Sequence, residues 1–465
     1  MAINAPEATT SSAQSKAVSE LIEAYRQHSP RSQSLHGSAS RVLPGGDTRT
    51  IAFHPPYPLA IEHGAGYQIW DADGNRYVDF LNNYTSLIHG HAHPATTDAA
   101  TRQINRGTAF PAPNQAQTRL AEILTERVAS VDRVRFCNSG TEAVMFALRA
   151  ARAFTGRDRI IKVEGGYHGT YDDIEVSVKP DLTHHTGGDH QASIAQLNAK
   201  GVPANTVDNV LVAPFNDASA AERLLLEHPD QVAAVIVEPV MGAGGMIPAT
   251  TAFLETLRAL TIEHNALLIF DEVMSFRLAP GGMQQHVRVR PDLTTFAKII
   301  GGGFPVGAFG GKAAVMDQFD PLRPTPISQS GTFNGNAVTM AAGVATMETY
   351  TAPEMERINQ LGNRLRDGFN ALLARRNITG VATGYGSFVG VHLGTDTVDD
   401  YRSASRANKP LAQMLHLALL LEGIFCAPRL MWCISTPMTE HVIDDALAAT
   451  DRAFDRLSAV LAELD

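Results

Sequence analysis

The chain has 465 residues, 44% of them hydrophobic and 18% charged, which is enough to bury a sizeable core and form two or three domains. Lys and Arg total 38 against 48 Asp and Glu, a formal net charge of −10, and no basic run is present. That balance argues against a partner such as nucleic acid or an anionic membrane. Three cysteines, Cys137, Cys426 and Cys433, are too few for a disulfide framework and fit a reducing, cytoplasmic compartment. No apolar run reaches the ~18 residues needed to span a bilayer.

Residues 1–15 are small and polar, with neither the charged n-region nor the apolar h-region of a secretory signal, and read as a flexible tail. A helical pattern begins near Ala17 (AVSELIEAYRQH), and a Gly- and Pro-rich loop follows from Ser40 to Thr50. Short strands are expected in PLAIEHGAGYQIWDADGNRYVDF, with turns at Gly64-Ala65-Gly66 and at Asp73-Gly74. The segment RLAEILTERVASV predicts a helix, VRFC a strand, and EAVMFALRAARAFTG a helix that stops at Gly156.

Further along, DRIIKVEGG, NVLVAPFN, AAVIVEP and ALLIFDEV are apolar, β-branched runs separated by helical patterns such as AAERLLLEH and TAFLETLRALTIEHN. Continuous buried strands alternating with helices predict an α/β fold with a mainly parallel sheet covered on both faces. After about Ala345 the pattern changes to long helices with few strands, as in a smaller α+β domain. The expected divisions are a tail over 1–15, an N-terminal segment over 16–80 that packs with the small domain, a large domain over 81–345 and a small domain over 346–465.

Ligands of open α/β sheets bind beyond the carboxyl ends of the strands. After VRFC comes Asn138-Ser139-Gly140-Thr141-Glu142, where Ser139 can cap the next helix and Glu142 complete a capping box. Two hydroxyls and a glycine at a helix N-terminus also make a phosphate seat. After DRIIKVEGG comes Tyr167-His168-Gly169, whose aromatic ring can pack in the core or face a flat cofactor. Asp271 follows four buried apolar residues and needs a partner, and Lys298 lies between apolar residues and a triple glycine. A buried lysine has a lowered pKa and can act as a neutral amine. Together these are the parts a pyridoxal phosphate enzyme needs: an anion seat, an aromatic face, a carboxylate for the ring nitrogen and an amine for the aldehyde.

At this point the chain resembles the class III, fold-type I, pyridoxal-phosphate aminotransferases, from about Leu43 to at least Met347. The motifs that carry the resemblance are NSGTEA (138–143), EGGYHG (164–169), VEPVMG (237–242), LLIFDEVM (267–274), DLTTFAKIIGGGFPVGAFGG (292–311) and SGTFNGNAVTMAAG (330–343). The resemblance implies a large domain with a mainly parallel seven-stranded sheet between helices, plus a smaller α+β domain. It implies pyridoxal 5'-phosphate as cofactor, Lys298 as the amine that joins it and moves the proton, Asp271 at the ring nitrogen and Tyr167 stacked on the ring. Val273 is implied on the second face, and Ser139, Gly140 and Thr141 at the phosphate. Thr332 is implied as a phosphate contact from the other subunit of a homodimer, Glu238 as a residue near the ring, and Asn216 as a weaker candidate.

Within that family the chain looks most like enzymes of β-amino acids such as β-phenylalanine and like glutamate-1-semialdehyde 2,1-aminomutase. The LPGGDTR stretch is similar to both and puts Arg49 where they grip the substrate carboxylate, while Tyr84 in LNNYTSL matches a pocket-lining segment. The tail CAPRLMWCISTPMT resembles the β-amino-acid enzymes and implies that Arg429 grips a dicarboxylate acceptor such as 2-oxoglutarate; SGTFNGNAV departs from the mutase form. The implied partners are a small-molecule amino donor and an oxo-acid acceptor (2-oxoglutarate or pyruvate), used in ping-pong order.

Three other readings find less support in the residues. His89, His91 and His93, with His184, His185 and His190, offer spacings for a metal-dependent hydrolase, but Pro94 follows at once and no acidic cluster stands nearby. The glycine runs at 242–245 and 301–303 are not the G-x-G-x-x-G of a nicotinamide site. A non-catalytic pyridoxal-binding protein has no support from a missing Lys298 or Asp271.

Overall fold

The computed structural model describes residues 12–182 and 193–462. Its centre is a seven-stranded sheet made of β1 (Arg133–Cys137), β2 (Arg159–Val163), β3 (Val210–Ala213), β4 (Val232–Val237), β5 (Leu267–Asp271), β6 (Leu293–Ala297) and β7 (Gly307–Gly311). The order across the sheet is β1-β7-β6-β5-β4-β2-β3. β7 runs antiparallel to both of its neighbours, and the remaining strands are parallel.

Every residue of β4, β5, β6 and β7 is buried, which is why these strands read as unbroken apolar runs rather than as alternating ones. Successive residues still serve opposite faces. Ile160, Ile236 and Ile269 join one core with Val144, Ala147 and Leu148 of the helix Gly140–Thr155. Ile161, Val235 and Leu268 join another with Phe253, Leu254 and Leu257 of the helix Thr251–Glu263. The sheet is therefore sandwiched between helices.

The helix Gly140–Thr155 ends as expected, with Gly156 in the left-handed region at φ 69°. The helix after Asn114 runs Gln115–Arg127 and stops before VASV, because Val128 turns extended (ψ 101°) and Val131 closes a turn back onto it. Near the N-terminus the strands Ile61–Ala65, Gln68–Asp71 and Arg76–Asp79 form an antiparallel meander, to which Ile424–Phe425 adds in parallel. Gly74 takes φ 84° at its expected turn. The other turn lies at Gly66 (φ 56°) rather than at Gly64, which is inside a strand. Glycine is needed at 64 for a different reason: a Cβ there would sit 2.5 Å from the ring of His91.

The C-terminal region packs the helices Ala352–Arg375 and Glu440–Arg456 on a three-stranded antiparallel sheet of Gly380–Thr383, Phe388–Leu393 and Met431–Cys433. Two arginines fasten it to the central sheet. Arg277 is fully buried; its Nε donates to Ser387 Oγ (3.0 Å), Nη2 to Ile434 O and Nη1 to Cys433 Sγ (3.6 Å), with the guanidinium 5.2 Å over the Phe388 ring. Arg402 pairs with Glu164 at the end of β2 (Nε–Oε2 2.7 Å). No helix among the described residues is long and apolar enough to cross a membrane.

The antiparallel β7 brings Gly307 against the turn that follows β1, where a Cβ would lie 2.0 Å from Ser139 O. Gly307→Ala is expected to destabilise the protein by about 1–3 kcal/mol through this backbone collision. Thermal unfolding checks it; an unchanged Tm would mean that the contact is not tight.

Candidate active site

Four strand ends converge, each bringing one chemical part. The first is the turn after β1. Ser139 is extended (φ −154°, ψ 161°), and its Oγ accepts the Glu142 N–H (3.1 Å), so it caps the helix as expected. The capping box itself is shifted: Glu142 Oε2 accepts from Asn138 N (2.7 Å), one residue earlier than a capping box requires. Gly140 and Thr141 lie in the first turn, where a helix leaves N–H groups without internal partners and the dipole favours an anion. A Cβ on Gly140 would meet Val273 at 3.3 Å and Ala297 at 3.6 Å, so this anion seat opens directly beside Lys298 and Val273. Thr141 Oγ1 accepts from Thr170 N (3.2 Å), an approach that requires glycine at 169.

Asp271, buried at the end of β5, is the second part. Its Oδ1 accepts from Val273 N (3.0 Å) and Thr295 Oγ1 (3.0 Å), and its Oδ2 pairs with His168 Nδ1 (2.8 Å). Thr295 is its register partner on β6. Neither His168 nor Thr295 was singled out from the sequence. The position of His168 directly after Tyr167 in EGGYHG is the one signal that points to it; Thr295 carries none, because its role depends on strand register.

Lys298, third, immediately follows β6 with φ 53°, an uncommon backbone state for a non-glycine residue and one that clusters at functional sites. Burial lowers the pKa of its amine, Asp271 and Glu238 oppose that shift, and Arg429 adds to it. All four groups therefore share one local field.

Tyr167 is the fourth. Its ring is 42% exposed while the residues around it are buried, so one aromatic face is open. Its N–H donates to Glu238 Oε2 (3.0 Å), and Glu238 Oε1 accepts from Gly242 N (3.1 Å). Burial raises the Glu238 carboxyl pKa, with His168 opposing and Asp271 adding. Beneath the turn, fully buried Lys162 donates to Gly166 O (3.0 Å), Ile174 O (3.0 Å) and Val176 O (2.5 Å), which pins the loop carrying Tyr167.

Two arginines complete the site. Arg429 Nη2 donates to the thioether of Met431 (3.0 Å), and its buried Nε has no hydrogen-bond partner among the described residues. Burial pushes its pKa below the ordinary arginine value, opposed by Tyr84, Glu238 and Tyr167. Arg49 is exposed; its Nη1 donates to Asn83 Oδ1 (2.8 Å), and its guanidinium lies 5.7 Å from the Tyr84 ring centre. Tyr84, raised in pKa by burial, is pulled back by Arg429 first and Arg49 second, so both cations reach it. A cavity of about 510 Å³ is lined by Arg49, Asn83, Tyr84, Leu87 and Gly303 on this side and extends to His54 and His416.

The other candidates lie elsewhere. Asn216 holds loops together, donating to Asp399 O (2.8 Å) and accepting from Thr250 N (2.9 Å). Thr332 is exposed on the 330–336 loop, which reaches the anion seat through Asn334 Oδ1 and Asn138 Nδ2 (2.8 Å). The histidines of the metal reading have protein partners: His89 binds Thr436 Oγ1 and Thr346 O, His91 binds Asp79 (2.7 Å), and His93 approaches Thr96 Oγ1 (3.3 Å). His184, His185 and His190 lie outside the described residues.

The site thus offers an anion seat that a Cβ would fill, a half-open aromatic face, an immobilised carboxylate and a partly buried amine. That donor set fits pyridoxal phosphate, whose phosphate, ring, ring nitrogen and aldehyde have these needs.

Comparison with known proteins agrees. The family described as aminotransferase class-III matches residues 52–460. The chain is 38% identical over 433 residues to beta-phenylalanine transaminase of Variovorax paradoxus, covering 92% of this chain and 94% of the relative. It is 39% identical over 421 residues to glutamate-1-semialdehyde 2,1-aminomutase of Methanothrix thermoacetophila, covering 90% and 95%. Among solved structures, an omega-transaminase from Sphaerobacter thermophilus superposes with a TM-score of 0.88 at 45% identity, over 92% of this chain and 98% of that one.

Replacing Asp271 with Asn keeps its shape but removes the charge that its three donors hold in place. Asp271→Asn is expected to stay folded and lose activity by about 10- to 100-fold, equivalent to one charge-assisted hydrogen bond of about 1.5–3 kcal/mol. Steady-state rates beside a thermal melt check this; wild-type turnover would remove the carboxylate from the chemistry.

Proposed function

The chain belongs to the class-III aminotransferases and is a pyridoxal-phosphate transaminase, and we propose that its donor is a β-amino acid of the β-phenylalanine type and its acceptor an oxo acid such as 2-oxoglutarate or pyruvate. The observation that carries this reading is Arg429: among the described residues its guanidinium has no carboxylate bonded to it, its Nε is buried and unpartnered, and its charge acts on the Lys298 amine and on Tyr84. A buried cation without a counter-ion is costly unless an anionic ligand completes it. With Arg49 on the Tyr84 side, the pocket has two carboxylate receptors, which suits a donor with one carboxylate and an acceptor with two.

In this reading Ser139, Gly140 and Thr141 hold the phosphate of the cofactor, Tyr167 and Val273 cover its two faces, Glu238 lies near its ring, and Asp271 keeps its ring nitrogen protonated. Pyridoxal phosphate supplies an aldehyde for the incoming amine and a ring that takes up electrons from the bond being broken. Lys298 Nζ, its pKa lowered by burial, would take the proton from the amine-bearing carbon as base and give it back as acid. The donor's product leaves before the oxo acid enters, so the kinetics are ping-pong. Thr332, exposed within one chain, reaches the phosphate of a second copy, which makes the working form a homodimer. The buried, unpaired state of Cys137, Cys426 and Cys433 suits a cytoplasmic setting.

Intramolecular amino transfer, the activity named for the Methanothrix relative, is the second reading. The visible spectrum of the purified holoenzyme separates the two. Adding β-phenylalanine without acceptor is expected to abolish the cofactor's visible band and release one keto product per site, and 2-oxoglutarate or pyruvate is expected to restore it. No change with β-phenylalanine, together with turnover of glutamate-1-semialdehyde without an acceptor, would overturn the β-amino-acid reading.

Arg429→Gln is expected to raise the KM for 2-oxoglutarate by about 10- to 100-fold, the loss of hydrogen bonds to a charged group. Initial rates at saturating donor measure it, and an unchanged KM would leave Arg429 without the acceptor.

A further inference from the structure

We propose that Asn83 is the positioning residue that holds Arg49 ready for the donor's carboxylate, and that it does so because its side chain is a neutral amide. The proposal rests on the reading of Arg49 given above and names a residue outside it.

Asn82, Asn83, Tyr84 and Thr85 form one continuous left-handed turn, with φ of 49°, 48°, 54° and 73°. Such a run costs L-residues roughly 1–2 kcal/mol each and persists only where its surroundings over-determine it. Here they do. Asp79 Oδ1 accepts from Leu81 N (2.8 Å) and Asn82 N (2.9 Å), while its Oδ2 is held by His91 Nε2 (2.7 Å). Asn82 Nδ2 donates to Cys433 O (3.0 Å), Thr85 N to Leu81 O (2.9 Å), and Tyr84 OH to Ile51 O (2.9 Å).

The turn also fixes which way the Asn83 amide points. Ser86 Oγ donates to Asn83 O (3.0 Å) and so faces Asn83 Nδ2 (3.1 Å) as an acceptor. With Nδ2 occupied, the carbonyl Oδ1 is the atom presented to Arg49, and Nη1 meets it at 2.8 Å. The Tyr84 ring lies 5.7 Å from the Arg49 guanidinium, and Asp47, two residues earlier, is turned to its own loop by accepting from Thr48 N and Arg49 N. An otherwise exposed arginine on a loop is thereby given one direction. Its charge stays unspent, because an amide accepts a hydrogen bond without neutralising the guanidinium. An aspartate at this place would fill Arg49 with a permanent carboxylate and compete with the donor's.

The test measures kcat and KM of the holoenzyme for β-phenylalanine and for 1-phenylethylamine, which carries the aromatic side chain but no carboxylate. Asn83→Gly tolerates the left-handed backbone and removes the amide, and Asn83→Asp keeps the shape and adds the charge. The kcat/KM ratio of the two donors is expected to fall three- to tenfold in Asn83→Gly and further in Asn83→Asp, through KM for β-phenylalanine rather than kcat. A purely structural role would move both donors together. Arg49→Ala separates the two levels of the argument. If it collapses the ratio and the Asn83 variants leave it at the wild-type value, the proposal is overturned and the role of Arg49 stands. If Arg49→Ala leaves the ratio unchanged, the reading of Arg49 fails and the proposal falls with it.

Discussion

Everything in this active site follows from placing carboxylates where water cannot reach them. Asp271, Glu272 and Glu238 are buried at strand ends, and each must find hydrogen-bond donors inside the protein. Asp271 takes its donors from the next strand (Thr295), from the following turn (Val273 N) and from the loop after β2 (His168). Glu238 takes the backbone of Tyr167 and of Gly242. Glu272 takes Ser275 Oγ and the N–H groups of Met283 and Gln284. Satisfying these charges pulls the ends of separate strands into one place and fixes the angle at which Tyr167 and Lys298 are presented.

The same logic extends to the junction with the C-terminal region. Arg277 reaches across it to Ser387, Ile434 and Cys433, all neutral partners, and Tyr350 OH returns a hydrogen bond to the Arg277 carbonyl (2.7 Å). Arg429 stands on the small-sheet side of that junction yet senses Tyr84, Tyr167 and Glu238. The pocket is thus assembled by both regions.

Much of this was legible in the sequence, where a residue's role depends on its own segment. The buried strands announced themselves as β-branched runs, Ser139 as a cap, Gly156 as a stop, and Asp271 and Lys298 as charges in apolar surroundings. What could not be read is what depends on distant partners. Gly64 looked like a turn and is a clearance for His91, 27 residues away. Glu142 fitted a capping box but bonds one residue further back. His89 and His91 had metal-like spacing, and they bond Thr436, Thr346 and Asp79, all outside their own segment. Asparagine tolerates the left-handed region, but nothing local carries that conformation on through Tyr84 and Thr85; bonds to Asp79, Cys433 and Ile51 hold it there.

The reversed strand β7 has a consequence for how this chain is made. β1 has a single neighbour in the sheet, β7, which is synthesised about 170 residues later. At roughly 5–20 residues per second, β1 waits on the order of ten to thirty seconds on the ribosome with both edges unpaired. The turn after β1 is pressed into shape by Gly307. The nascent chain therefore carries its motif for anion binding early but finishes the seat late, after the amine of Lys298 has emerged. A chain cut short before β7 would carry most of the signature yet leave β1 without its sheet neighbour and the turn after it without the contact from Gly307.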